Sequence, residues 1–461
     1  MRGKYKFYIW IVGFVSMFLH GKTDAQQALY PLLEKKSWSQ VLEENEYKWH
    51  PPYTINLLIH PLHSSDWIYL NPSMVVSRRH VIRNISSTNF EQRKKAESQE
   101  DLVVQFAFDN PPFIPDFRLT NLRLAEDKYP VATADYFAND IYYKIEYAAT
   151  VLDDSQTLLC LRVGAKNESD KIKQIMIRSK IGYYSENKMF DYHYIPYRWT
   201  NEKWKDYDQV VLKEHSIYKG QQLIGEVVSE NMNLFWEEKK SYTDKEYEDI
   251  LYPQVWYGSG YVTPEFRVKD MHRVVCAMKE VQPNDSAFFV LKLLVNDSLI
   301  TSFHEESLKQ LTFKDVKEKA IADFKVPFTD KTLKTEFKRD EWEDLFCSLQ
   351  LSTLQLLVND FQNKMYQPAQ GGSSERFFVW VFEAVQMLRP MLRTGQFESV
   401  KKSLDYIFSL QDAGFPPVGK FTTTSGAIGT TGPRWANTTG MALALACDYY
   451  LYSKDQQFME D

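Results

Sequence analysis

From about residue 50 to residue 300 the apolar positions fall in short runs rich in Val, Ile, Tyr and Phe. These runs are Thr54 to His60, Leu102 to Phe108, Tyr142 to Leu152, Leu158 to Val163, Ile172 to Tyr184, Gln222 to Val228, Arg273 to Val281 and Ala287 to Val295. Turn clusters such as Asp109-Asn110-Pro111-Pro112 and Gln282-Pro283-Asn284-Asp285 separate them. Short β-branched and aromatic runs with such punctuation predict an antiparallel β-sandwich. The polar stretch 85–101 predicts an exposed loop.

Beyond residue 300 the period changes. Residues 300–324 place apolar side chains at helical spacing among Glu and Lys, and Pro327 ends the pattern. Residues 329–339 are charged and poor in core residues, as a linker is. Trp342, Phe346, Leu349, Thr353, Leu356 and Leu357 then mark one face of a first helix. Residues 375–394 are apolar almost all round, with Pro390 expected to bend or shorten the helix and Gly395 to close it. A third helix is one-sided, with Phe397, Val400, Leu404, Ile407 and Phe408 on its stripe. The fourth, about 437–452, is again apolar all round, and Asn437 or Thr438 is placed to cap it. A helix apolar on one stripe is exposed on the other side, and one apolar throughout is buried. The order exposed, buried, exposed, buried is what an outer and an inner ring of helices would produce. The long connections 365–374 and 412–436, rich in Gly, Pro, Thr and Ser, lead into the two helices expected to be buried.

The first 25 residues change the picture of where the protein works. Arg2, Lys4 and Lys6 precede an apolar run from Phe7 to Leu19, and small residues lead to Ala25. That order reads as a cleavable secretory signal, residues 1–25, and the run is shorter than the roughly 20 residues that span a bilayer. The expectation is a secreted or periplasmic protein with no stable membrane span after cleavage. The remaining divisions are a β-sandwich at 26–299, linker helices at 300–339 and a helical region at 340–461.

Composition adds little more. Of 461 residues, 44% are hydrophobic and 25% charged, an ordinary globular balance. The net charge of -6 gives no footprint for nucleic acid. Aromatic residues make up 15%, which suits large cores and equally suits stacking on sugar faces. Cys160, Cys276, Cys347 and Cys447 lie far apart among apolar neighbours, so they predict buried free thiols rather than a metal site. His60 and His63 in His60-Pro61-Leu62-His63 lack a third ligand nearby and read as strand-end histidines. Trp256-Tyr257-Gly258-Ser259-Gly260-Tyr261 is not a serine elbow; with Tyr247 and Tyr252 it could form an aromatic loop near the helices, or pack between domains. No metal and no cofactor is expected, since neither a phosphate-binding loop nor a dinucleotide fingerprint is present.

Three stretches resemble one family: Tyr366-Gln367-Pro368-Ala369-Gln370-Gly371-Gly372, Phe378-Val379-Trp380-Val381-Phe382-Glu383, and Gly432-Pro433-Arg434-Trp435-Ala436-Asn437-Thr438-Thr439-Gly440. The helix end Asp448-Tyr449-Tyr450 with Ser453-Lys454-Asp455 adds to the likeness. They resemble the six-hairpin glycosidases, in which an (α/α)6 barrel follows an N-terminal β-supersandwich. Trp380 and Glu383 match that family's aromatic and acidic pair entering the first inner helix, where an Asp is commoner. The resemblance implies an antiparallel β-supersandwich, a helical linker and the first hairpins of an (α/α)6 toroid. It also implies carbohydrate as partner and glycoside hydrolysis by general acid/base chemistry. A full toroid has twelve helices and about four are counted here, so the chain reads as the N-terminal piece of a longer protein whose catalytic carboxylates lie beyond residue 461.

Glycoside cleavage uses two carboxylates about 5 Å apart for retention or about 6.5–9.5 Å apart for inversion. Glu375 and Glu383, eight residues apart, would lie roughly 12 Å apart along one helix and make a poor pair. On a wholly apolar helix Glu383 would be buried, and would need either a substrate hydroxyl, a proton-transfer role, or an ion pair with Arg376, Arg389 or Arg393. Trp380 is a stacking or a core residue; Trp435 and Arg434 lie in a Gly-rich loop; Tyr366, Gln370 and Arg376 border the same rim. A non-catalytic carbohydrate-binding protein and a polysaccharide lyase are the alternatives.

Overall fold

The computed structural model describes most of residues 57–81, 100–185, 210–237, 274–369 and 379–460, together with the short strands at 204–205, 255–257 and 260–262. The expected signal (1–25), Glu375, Tyr247 and Tyr252 lie outside the described residues, as does nearly all of the expected loop, of which only Glu100 and Asp101 are described, as strand.

Two antiparallel sheets form the first part. One runs β1 (Leu57–Leu58), β2 (Asp66–Leu70), β3 (Val76–His80), β4 (Glu100–Phe108), β9 (Lys173–Ser185), β17 (Val274–Val281), β14 (Asn233–Glu237), with β10 (Trp204–Lys205) paired to β9. The other runs β11 (Val210–Lys213), β12 (Ser216–Lys219), β13 (Gln222–Ser229), β18 (Ser286–Leu294), β8 (Gln156–Asn167), β7 (Ile141–Asp153), β6 (Tyr129–Ala138), β5 (Asn121–Ala125). Alternate residues of both sheets share one core: Val104, Phe106 and Phe108 of β4 and Ile175, Ile177 and Ile181 of β9 belong to it, as do Tyr143, Ile145 and Tyr147 of β7. The chain is thus a mixed α and β protein with antiparallel sheets, compatible with a β-sandwich followed by helices. Strands β15 (Val255–Tyr257) and β16 (Gly260–Val262) pair antiparallel, with Trp256 opposite Tyr261 and Tyr257 opposite Gly260.

Helices α1 (Ser302–Gln310) and α2 (Phe313–Lys325) belong to the stretch read as a connector. Each starts at a Thr capping box, at Thr301 and Thr312. They pack on the outer face of the second sheet, where Leu308, Val316, Ala320 and Phe324 meet Ala148, Leu158 and Cys160. Lys292 of β18 ties this layer down: its Nζ donates to the carbonyl of Leu308 at the end of α1 and pairs with Glu226 at 2.6 Å.

Helix α3 (Asp340–Gln355) joins that layer by a face different from the expected one. Its buried residues are Asp344, Ser348, Leu351, Leu354 and Gln355, whereas Trp342 and Leu349 are exposed. Polar ties decide this: Lys128 Nζ donates to Asp344 at 3.0 Å and Ser348 Oγ donates to the Lys128 carbonyl at 3.0 Å. After α3 the hairpin of β19 (Leu357–Asp360) and β20 (Met365–Pro368) packs through Val358 with Trp67 of β2.

The last helices are α4 (Val381–Arg393), α5 (Phe397–Ser409), α6 (Ala436–Ser453) and α7 (Gln456–Glu460). Their core holds Val381, Leu388, Leu404, Ile407, Leu445 and Tyr449. Two expectations need correction. Helix α4 is not buried all round: its stripe is Val381, Ala384, Val385, Leu388, Met391 and Leu392, with Phe382 44% exposed. On α6, Leu443 and Leu451 are more than half exposed and Cys447 is exposed, so of the expected buried thiols only Cys160 and Cys276 are buried and Cys347 is partly so. Helices α4 to α6 pack on one another, which leaves one side of α4 and α6 without cover among the described residues. Pro390 does not end α4, because the carbonyl it leaves unpaired belongs to the exposed Gln386 and can meet water. Gly395 does close the helix: at φ 82° it sits in a Schellman turn, Gln396 N–H donating to Met391 O at 2.9 Å and Gly395 N–H to Leu392 O at 3.2 Å. Neither expected cap of α6 acts as one, since the helix already begins at Ala436. No described helix is long and apolar enough to cross a membrane.

Candidate functional site

Trp380 is the residue before α4, in extended backbone (φ −92°, ψ 104°) and partly buried. Glu383 lies in the first turn, where the helix dipole favours a carboxylate. It is exposed, not buried, because the side of α4 that carries it is uncovered. Arg389, one proposed ion-pair partner, pairs with Asp448 of α6 at 3.0 Å instead. The Schellman turn makes α5 run back along α4. The bridge between Gln411 and Ile428, and the bond from Ile428 N–H to Thr439 Oγ1 at 3.0 Å, bring the start of α6 to the end of α5. Helices α4 and α6 therefore run in the same direction, and their N-terminal ends lie at one end of the layer. Gln370, Arg376, Arg434 and Trp435 lie outside the described residues.

Tyr366 belongs to a second cluster, which sequence reasoning did not assemble. Its ring stacks on His63 with centroids 4.2 Å apart, and Lys402 Nζ of α5 lies 4.9 Å from the ring centre. Lys402 pairs in turn with Glu398 at 2.8 Å. Hydrogen bonding to Glu398 raises the Lys402 pKa, and the same bond lowers that of Glu398, so both carry charge. Burial raises the Tyr366 phenol, against the pull of Lys402. Burial lowers His63 to about 4, with Lys402 adding to the effect. His63 Nδ1–H donates to the Leu357 carbonyl at 3.0 Å, which leaves Nε2 as an acceptor. At neutral pH the cluster is thus a neutral imidazole, a phenol and an ion pair. It offers hydrogen bonds and an aromatic face.

The two histidines tie the sandwich to the helices. His60 is fully buried and stacked on Trp67; its Nε2–H donates to the carbonyl of Gln355, the last residue of α3, at 3.0 Å. Gln355 Nε2 donates back to the His60 carbonyl at 2.6 Å. His63, in left-handed backbone at φ 61°, accepts on its carbonyl from Asn359 N–H at 3.0 Å. Next to them the buried Asp66 holds Arg78 at 3.1 Å and His80 at 2.9 Å. Among the described residues no group of three or more His, Cys, Asp or Glu side chains could hold a metal ion. The left-handed turn that aims His63 at Tyr366 left no mark in the sequence, and Lys402 reads there as one more charge on an exposed face.

No family model matches the chain, and no curated protein matches it.

Proposed function

We propose that the protein acts on carbohydrate outside the cytosol, as a glycoside hydrolase of the six-hairpin type. The sugar would be held at the shared N-terminal end of α4 and α6. The observation that carries this reading is the common direction of those two helices. Trp380 and Glu383 stand at the start of α4, and the third family-like stretch ends in the first turns of α6. An antiparallel double sheet followed by helices is compatible with the same reading. Glu383, already exposed, can accept from a sugar hydroxyl with little desolvation, and Trp380 offers an aromatic face. The role assigned to Glu383 is ligand binding, and the acid/base pair is not assigned to described residues.

The experiment is a panel of oligosaccharides and polysaccharides, scored for binding and for release of reducing ends. Trp380→Ala and Glu383→Gln should each weaken binding of the preferred glycan by roughly tenfold. A panel in which no glycan is bound or cleaved refutes the proposal. Binding without release would identify a non-catalytic carbohydrate-binding protein instead.

A further inference from the structure

We draw no further inference here: the strongest candidate, the apolar face of α4 and α6 that carries Phe382, Leu443 and Leu451 and is uncovered among the described residues, is a surface patch for which nothing in the structure shows what covers it.

Discussion

Single residues show how tightly the sheets are built. At Gly225 of β13 an added Cβ would stand 2.6 Å from the backbone carbonyl of Lys292 and 2.6 Å from the Leu293 side chain. Backbone cannot step aside as a side-chain tip can, so Gly225→Ala should destabilise by roughly 1–3 kcal/mol. Gly440 in α6 is the contrast, with nothing within 4 Å of the same added atom. There the alanine should stabilise by about 0.5–1 kcal/mol through helix propensity. Urea midpoints of the two variants, read against the wild type, check both signs. Neither outcome is legible in the sequence, where Gly225 interrupts an apolar run and Gly440 precedes one. The candidate residues fared similarly. The pattern of apolar positions puts Trp380 and Glu383 inside a helix running from residue 375, whereas α4 begins at Val381, and the exposure of Glu383 depends on which neighbours cover the helix.

At the scale of elements, periodicity found the long strands and the helices, and it failed where polar residues were held by specific partners. The run Asp66–Leu70 and the run Val76–His80 escaped notice because Asp66, Arg78 and His80 look unlike a strand, although they neutralise one another inside it. Residues 129–138 were hidden by their Ala, Thr and Asp content, which packing against the helical layer overrides. On α3 the bulkier stripe was taken as the buried face, yet Lys128 binds Asp344 and so turns the other side inward. Lys292 plays the comparable part for α1. Its ammonium meets the last carbonyls of the helix, where the dipole favours a cation, and it is almost fully buried. Lys292→Met should destabilise by roughly 3–5 kcal/mol, because Glu226 then loses its partner in a desolvated place. Adding Glu226→Gln should restore part of that loss. A thermal melt of the single and double variants tests this, and equal losses in the two would argue against the ion pair.

For the whole molecule, the junction of sandwich and helices rests on His60 and His63, both neutral and donating to the backbone carbonyls of Gln355 at the end of α3 and of Leu357 just after it. Burial lowers each from 6.5 to about 4 in the folded state. The unfolded chain therefore takes up protons first as pH falls. The stability these groups provide is complete above about pH 6.5 and is lost progressively as pH falls from 6.5 towards 4, by up to roughly 3 kcal/mol for each histidine. Asp66, lowered chiefly by Arg78 against the effect of burial, acts in the same sense at lower pH. Calorimetric melting temperatures should be flat near neutrality and fall steeply below pH 6.5. His60→Gln should start lower and fall less steeply, and a slope equal to the wild type would remove His60 from the account. The same junction bears on how the chain folds. His60 and Gln355 complete each other across 295 positions of sequence. On a ribosome the turn that carries His60 emerges long before its partner has been made, and closing so large a loop is slow. Until then Trp67, whose ring His60 covers, has only part of its final packing, so the first hairpin of the sandwich is the segment that a chaperone would have longest to meet.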